Sequence, residues 1–166
     1  MKDKNIGFIG LGNLGKNLAK NILKKKYNLN VYDINKSKSK SLIRLGAICR
    51  YNIKDIINHS SIIITCLPSI KSTKKVIEGR GGILNYINKN HLWIEMSTTD
   101  EKEMIRLSKL IEKKGANVLE APVTGGQHKA AKGNISILVA GKRKNFNRAL
   151  PILSELGYKI LYCGKN

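Results

Sequence analysis

The stretch from Asn5 to Leu23, "NIGFIGLGNLGKNLAKNIL", sets four glycines within nine positions, between an apolar run and a segment of helical period. Gly10, Gly12 and Gly15 form G-x-G-x-x-G. Glycines also mark ordinary turns, so the spacing alone says little. Its context says more. Ile6 to Ile9 reads as a strand, Leu14, Leu18, Ala19, Ile22 and Leu23 fall on one helical face, and Asp33 ends the next apolar run about 20 residues on. In that setting each glycine has a separate task. Gly10 permits a tight turn, Gly12 lets main chain approach a pyrophosphate, and Gly15 lets helix and strand pack closely.

The backbone from Gly10 through Leu11, Gly12, Asn13 and Leu14 to Gly15 is therefore a candidate dinucleotide cradle. Amides near Asn13 and Leu14 would bond the pyrophosphate at the positive end of a helix dipole. The bland alternative is a purely structural strand-to-helix turn. Asp33 bears on the cofactor, because its carboxylate can accept from both ribose hydroxyls and would repel a 2′-phosphate. NAD is thus expected over NADP. Lys36, Lys38 and Lys40 temper this, although a solvated helix face is the simpler role for them.

Apolar runs of strand length recur between stretches of helical period, which predicts a Rossmann-like, doubly wound, mainly parallel α/β sheet flanked by helices. The strands are expected at Ile6–Ile9, Leu29–Tyr32, the fully apolar "SIIIT" run ending at Thr65, Leu92–Glu95, Val118–Ala121, Ile135–Val139 and Ile160–Tyr162. Helices are expected after the glycines, at Lys36–Leu45 with Gly46 as its stop, near Ser72–Ile77, at Thr99–Lys114 and at Lys144–Leu156; a short segment spans Ile53–Asn58. Lys24, Lys25 and Lys26 sit where the first helix dipole favours cations.

A chain of 166 residues suits one domain, residues 1–166, with a real core. Three widely spaced cysteines, Cys49, Cys66 and Cys163, give neither a disulfide framework nor a zinc pattern, so reduced thiols and no metal are expected. The longest apolar run, Ile62 to Leu67 around Thr65, falls far short of the roughly 20 residues that span a bilayer. A cytoplasmic protein with no membrane partner is the expectation. The formal charge of +20 invites a nucleic-acid reading. We discount it, because the excess is mostly lysine spread over many expected helices, and aromatics are only 5%, too few for base stacking.

"GFIGLGNLGKNLAKNIL", "ITCLPS", "IEMSTTD" and "EAPVTGG" follow one another in the order and spacing of the β-hydroxyacid dehydrogenase family, and the resemblance covers essentially the whole chain. It implies the family's N-terminal cofactor domain, part of an oxidoreductase that moves hydride between a nicotinamide cofactor and a small 3-hydroxy (or 2-hydroxy) acid or semialdehyde. By the same resemblance, Leu67 and Pro68 lie along the cofactor and Thr98 meets the nicotinamide riboside. Ser97, Thr98 or Thr99 would equally serve as an N-cap, with Glu101 and Glu103 favoured in the first turn that follows.

"PVTGG" resembles the family's substrate-binding "PVSGG". Thr124, Gly125 and Gly126 would seat a substrate carboxylate, while a flexible loop is the plain alternative. His128 and Lys129 receive no role. The family's general acid/base lysine belongs to a helical C-terminal domain, in a G-x-x-x-K-x-x-N pattern soon after a "YCG"-like strand end. Here Tyr162, Cys163 and Gly164 are followed only by Lys165 and Asn166, and Lys165 comes too early in the pattern. No catalytic residue is therefore assigned. The isolated chain is expected to bind cofactor and turn over poorly, as a monomer or a weak self-associate, whereas full-length relatives oligomerise. The other reading is a non-catalytic dinucleotide sensor or the product of a degenerate gene.

Overall fold

The computed structural model of the chain describes residues 3–25 and 27–164. Lys26, Lys165 and Asn166, named above, lie outside the described residues. β1 (Asn5–Ile9) leads through the glycine turn into α1 (Asn13–Leu23), which returns the chain to β2 (Asn28–Tyr32). α2 (Lys40–Ile43), β3 (Ile48–Cys49), α3 (Ile53–Asn58) and β4 (Ile62–Thr65) complete the first half. α4 (Ile70–Glu78), β5 (Leu92–Glu95), α5 (Glu101–Lys113), β6 (Asn117–Glu120), β7 (Val123–Thr124), α6 (Gly126–Ala131), β8 (Ile135–Gly141), α7 (Arg143–Leu156) and β9 (Gly157–Gly164) follow.

Strands run β3-β2-β1-β4-β5-β6-β8-β7 across one sheet, with β9 along β8. All ladders from β3 to β6 are parallel. β8 turns antiparallel to β6 and β7 and parallel to β9, so the mainly parallel expectation holds.

The apolar "III" of β4 packs on both faces, as a central parallel strand must. Ile62 and Ile64 join Ile6, Phe8, Leu18, Ile22 and Leu153 on one side, the side of α1 and α7. Ile63 joins Ile56, Trp93, Met104 and Leu107 on the other, with α3 and α5. Pleat alternation splits one sequence run between two cores.

Four expectations need correction. The helix expected over Lys36–Leu45 is a tight 3-10 turn, Lys36–Ser39, followed by one α turn. The Asn35 side chain accepts from Ser37 N–H and the Ser39 hydroxyl donates to the Lys36 carbonyl, so local side-chain bonds compete with the α ladder. Gly46 still ends it, at φ +102°. β3 was not expected at all. The "PVTGG" stretch is no loop, since β7 ends at Thr124 and α6 begins at Gly126. Finally, the cap of α5 is Asp100, whose carboxylate accepts from Glu103 N–H at 3.1 Å, and not Ser97, Thr98 or Thr99. Glu101 and Glu103 do occupy the first turn.

At the end of α1, Lys24 donates to Asn21 Oδ1 at 3.0 Å and Lys25 lies 3.7 Å from Glu155. Among the described residues no helix is long and apolar enough to cross a membrane.

Candidate functional site

Parallel pairing aligns the carboxyl ends of four strands, with Ile9 opposite both Tyr32 and Thr65, and Thr65 opposite Glu95. The order reverses between β1 and β4, which opens a crevice beyond those ends. A cleft of about 490 Å3 lies there, within the usual size of small-molecule sites. A hollow of about 600 Å3 at the opposite edge is lined by Asn30, Arg50 and Ser60, which bond one another. It gathers the amino ends of β1 and β2 and the approach to β4, whereas the first cleft combines carboxyl strand ends with the start of α1.

The structure gives each of the three glycines a distinct steric setting. Gly10 adopts φ +95°, and a Cβ there would lie 2.3 Å from the Cys66 carbonyl oxygen. A Cβ on Gly15 would lie 2.1 Å from the Gly10 carbonyl oxygen and 3.2 Å from Phe8, so α1 sits against β1 only because none is present. At Gly12 a Cβ would meet nothing within 4 Å, because that face is open to the cleft. Gly12 caps α1 without a side-chain bond, and the first turn carries no acid. An uncapped helix start free of negative charge is what a phosphate requires.

Asn13 and Leu14 line this cleft, but Leu11 does not: its side chain is buried in the core and its N–H donates to Asp33 Oδ2 at 2.7 Å. Asp33 Oδ1 accepts from Asn35 N–H at 2.8 Å, so the two backbone bonds fix the carboxylate at the cleft wall. Lys38 Nζ lies 3.6 Å from Asp33 Oδ2 and also lines the cleft, whereas Lys36 lies over the Tyr51 ring. Lys38 is solvent-exposed, as a solvated face requires, and it also reaches Asp33.

Across the cleft, Leu67, Pro68 and Thr98 line the wall, and Leu67 N–H donates to Ser97 Oγ at 2.7 Å. Glu95 lies wholly buried beneath them. Its Oε1 accepts from Ser97 N–H at 2.7 Å and its Oε2 from the Thr65 hydroxyl at 2.8 Å. Burial pushes this carboxyl up to about 7, against the pull of the Ser97 and Thr65 hydrogen bonds. Cys66 also faces the cleft, and burial, with Glu95 nearby, pushes its thiol up to about 12, so it is protonated near neutrality.

Thr124, Gly125 and Gly126 are exposed and lie outside the lining, although Val123 belongs to it. Asn17 Nδ2 donates to the Gln127 carbonyl at 3.4 Å and ties this stretch to α1.

Ser72, Lys75 and Val76 of α4 line the cleft and were not singled out in the sequence. Their spacing puts them on one helical face, and that was the available signal. All three cysteines are free, and no group of His, Cys, Asp or Glu among the described residues is arranged to hold a metal.

Comparison with known proteins agrees with the fold. Residues 5–164 match the family described as the NAD binding domain of 6-phosphogluconate dehydrogenase. The mitochondrial 3-hydroxyisobutyrate dehydrogenase of Rattus norvegicus is 38% identical over 159 residues, covering 96% of this chain and 48% of that protein. The chain thus spans about half the length of such relatives. The solved structure of Psf3 with NADP+ and 2-OPP superposes with TM-score 0.91 at 24% identity, over 96% of this chain and 56% of that one. An imine reductase variant from Myxococcus stipitatus with NAD+ gives 0.90 at 19%, over 99% and 55%. Likenesses at such identity speak for the fold alone. A glycine cradle at the switch point of a Rossmann-like sheet, together with a family match over nearly every residue, makes this chain a member of the β-hydroxyacid dehydrogenase family, corresponding to its NAD-binding domain.

Proposed function

We propose that this chain is the cofactor-holding part of an enzyme that moves hydride between a nicotinamide dinucleotide and a small 3-hydroxy (or 2-hydroxy) acid or semialdehyde. The observation that carries the reading is the bare, acid-free start of α1 at Gly12, opening onto the cleft that Asp33 also lines. The dinucleotide supplies the hydride-carrying nicotinamide. Amides of Asn13 and Leu14 hold its pyrophosphate, Asp33 takes the ribose hydroxyls, and Leu67, Pro68 and Thr98 orient the nicotinamide end. Leu11 contributes by steadying Asp33 through its N–H.

NAD is the preferred cofactor, because a fixed carboxylate at the ribose end repels a 2′-phosphate; Lys38 beside it narrows that preference. Thr124, Gly125 and Gly126 seat the substrate carboxylate, an assignment supported by the resemblance of "PVTGG" to the family's motif. At the nicotinamide end the cleft presents Leu67, Pro68, Met96, Ser97, Thr98 and Val123, which are hydroxyl-bearing or apolar, and the Cys66 thiol, pushed up to about 12. None exchanges a proton readily near neutrality, so these 166 residues alone bind cofactor and turn over poorly. Exposed Leu138, Tyr158 and Leu161 on β8 and β9 support at most weak self-association. Three free thiols fit a reducing compartment, and the cytosol is the one we favour.

The test is titration with NADH and NADPH, followed by fluorescence. Saturable binding, tighter for NADH and abolished by Gly12→Val in a folded variant, is expected. Lack of saturable binding of either dinucleotide refutes the reading.

A further inference from the structure

A continuous set of hydrogen bonds runs beneath the cleft rim. The Trp93 indole N–H donates to Thr65 Oγ1 at 2.7 Å, and the Thr65 hydroxyl donates to Glu95 Oε2 at 2.8 Å. Glu95 Oε1 takes Ser97 N–H at 2.7 Å, and Ser97 Oγ takes Leu67 N–H, also at 2.7 Å. The partners come from β4, β5 and the two turns that follow those strands. Trp93, Thr65 and Glu95 are fully buried, and Ser97 is nearly so.

We propose that Glu95 is a positioning residue for the nicotinamide end of the cleft, holding together, through Ser97, the two turns that carry Leu67, Pro68 and Thr98. The inference rests on the dinucleotide-binding reading above. It is distinct from ordinary core packing because an apolar side chain would fill the space, leave Ser97 N–H without its acceptor and leave the Thr65 hydroxyl only the Ile94 carbonyl at 3.4 Å.

The charge state of Glu95 decides how firmly it grips. An ionised carboxylate accepts from both donors in strong, charge-assisted bonds. Once protonated, it must use one oxygen as a donor, the Thr65 hydroxyl must turn, and the bond to Ser97 weakens. Burial brings this change to about pH 7. The titratable groups facing it are Cys66, in the turn after β4, and Glu120, opposite Glu95 in β6; the Glu120 charge favours the protonated form. Thr65 and Ser97 are neutral donors.

The test is NADH titration of the wild type, Glu95→Gln and Ser97→Ala between about pH 6 and about pH 8.5, a window chosen to straddle the titration. Folding is checked by circular dichroism. Wild-type Kd is expected to rise roughly threefold or more toward the acid end, as the charge-assisted bonds are lost. Glu95→Gln is expected to be flat across the window, at the weak affinity of the acid wild type. Ser97→Ala, which keeps the carboxylate but removes the acceptor of Leu67 N–H, is expected to bind weakly throughout.

Wild-type affinity and pH profile in folded Glu95→Gln overturn the proposal. If that variant does not fold, wild-type affinity in Ser97→Ala overturns it instead, since the link from Glu95 to Leu67 runs through that hydroxyl. A wild type that binds no dinucleotide at any pH removes the underlying reading as well, so the two failures are distinguishable.

Discussion

Replacing Asp33 by Asn removes the charge at nearly unchanged volume, giving up one of two accepted backbone hydrogen bonds, which makes it the sharpest probe of cofactor choice. The carboxylate accepts from Leu11 N–H at 2.7 Å and Asn35 N–H at 2.8 Å, and its side chain is only 6% exposed. Two like charges about 4 Å apart repel by about 1 kcal/mol in water and about 4 kcal/mol at the dielectric typical near a protein surface. Burial places Asp33 toward the upper figure. Lys38, 3.6 Å away but 43% exposed, offsets part of it, because exposed pairs contribute about 0 to 1 kcal/mol. A net discrimination of about 1.5 to 3 kcal/mol against NADPH follows, about ten- to a hundredfold in the Kd ratio. In Asp33→Asn the carboxamide oxygen still accepts one backbone N–H, so the turn survives while the repulsion goes. Paired NADH and NADPH titrations at low and high salt measure the ratio, with thermal melting to verify folding. The ratio should fall toward one in the variant, and salt should narrow it in the wild type. An unchanged ratio in folded Asp33→Asn refutes the assignment of Asp33 to the ribose.

Gly15→Ala should destabilise the fold by about 1 to 3 kcal/mol in denaturant unfolding, despite the better helix propensity of alanine, because the new methyl would lie 2.1 Å from the Gly10 carbonyl oxygen. A more stable variant would contradict the close-packing role. Glu95 should leave a signature in stability as well as in binding. Its carboxyl rises from 4.5 to about 7 on folding, so the folded state holds the proton more tightly than the unfolded one. That contribution is complete below about pH 4.5 and is lost as pH rises to about 7, by about 3 kcal/mol. Unfolding curves of Glu95→Gln should lack this slope relative to the wild type, and parallel pH profiles would count against it.

The elements that position the site were legible because their residues carry a period. β1, β4 and β5 are short apolar runs bounded by turn residues, and Ile53–Asn58, read only as a short segment, is a helix over that span. The glycine cradle was legible because Gly10 and Gly15 answer steric demands that no other residue meets, while Gly12 leaves the side that faces the cleft bare.

Features that depend on partners distant in sequence were not. β3 is two residues long, too short for any alternation, and exists because Asn30 and Val31 of β2 offer it an edge. At "STTD" four polar residues compete to cap α5, and only the fold decides for Asp100. Lys38 is solvated as read, but only the 3-10 turn shows that it also reaches Asp33. Three of the four bonds in the Glu95 relay join residues 28 to 30 positions apart, and its key member reads in the sequence simply as the last residue of a strand.

Amide chemical shifts of the isotope-labelled chain, recorded as NADH is added, test the central claim most directly. If bare main chain at the start of α1 holds the pyrophosphate, the N–H signals of Gly12, Asn13, Leu14 and Gly15 should move together and saturably, with those flanking Asp33 following. Saturable shifts elsewhere in the chain, with these four amides unmoved, would contradict it.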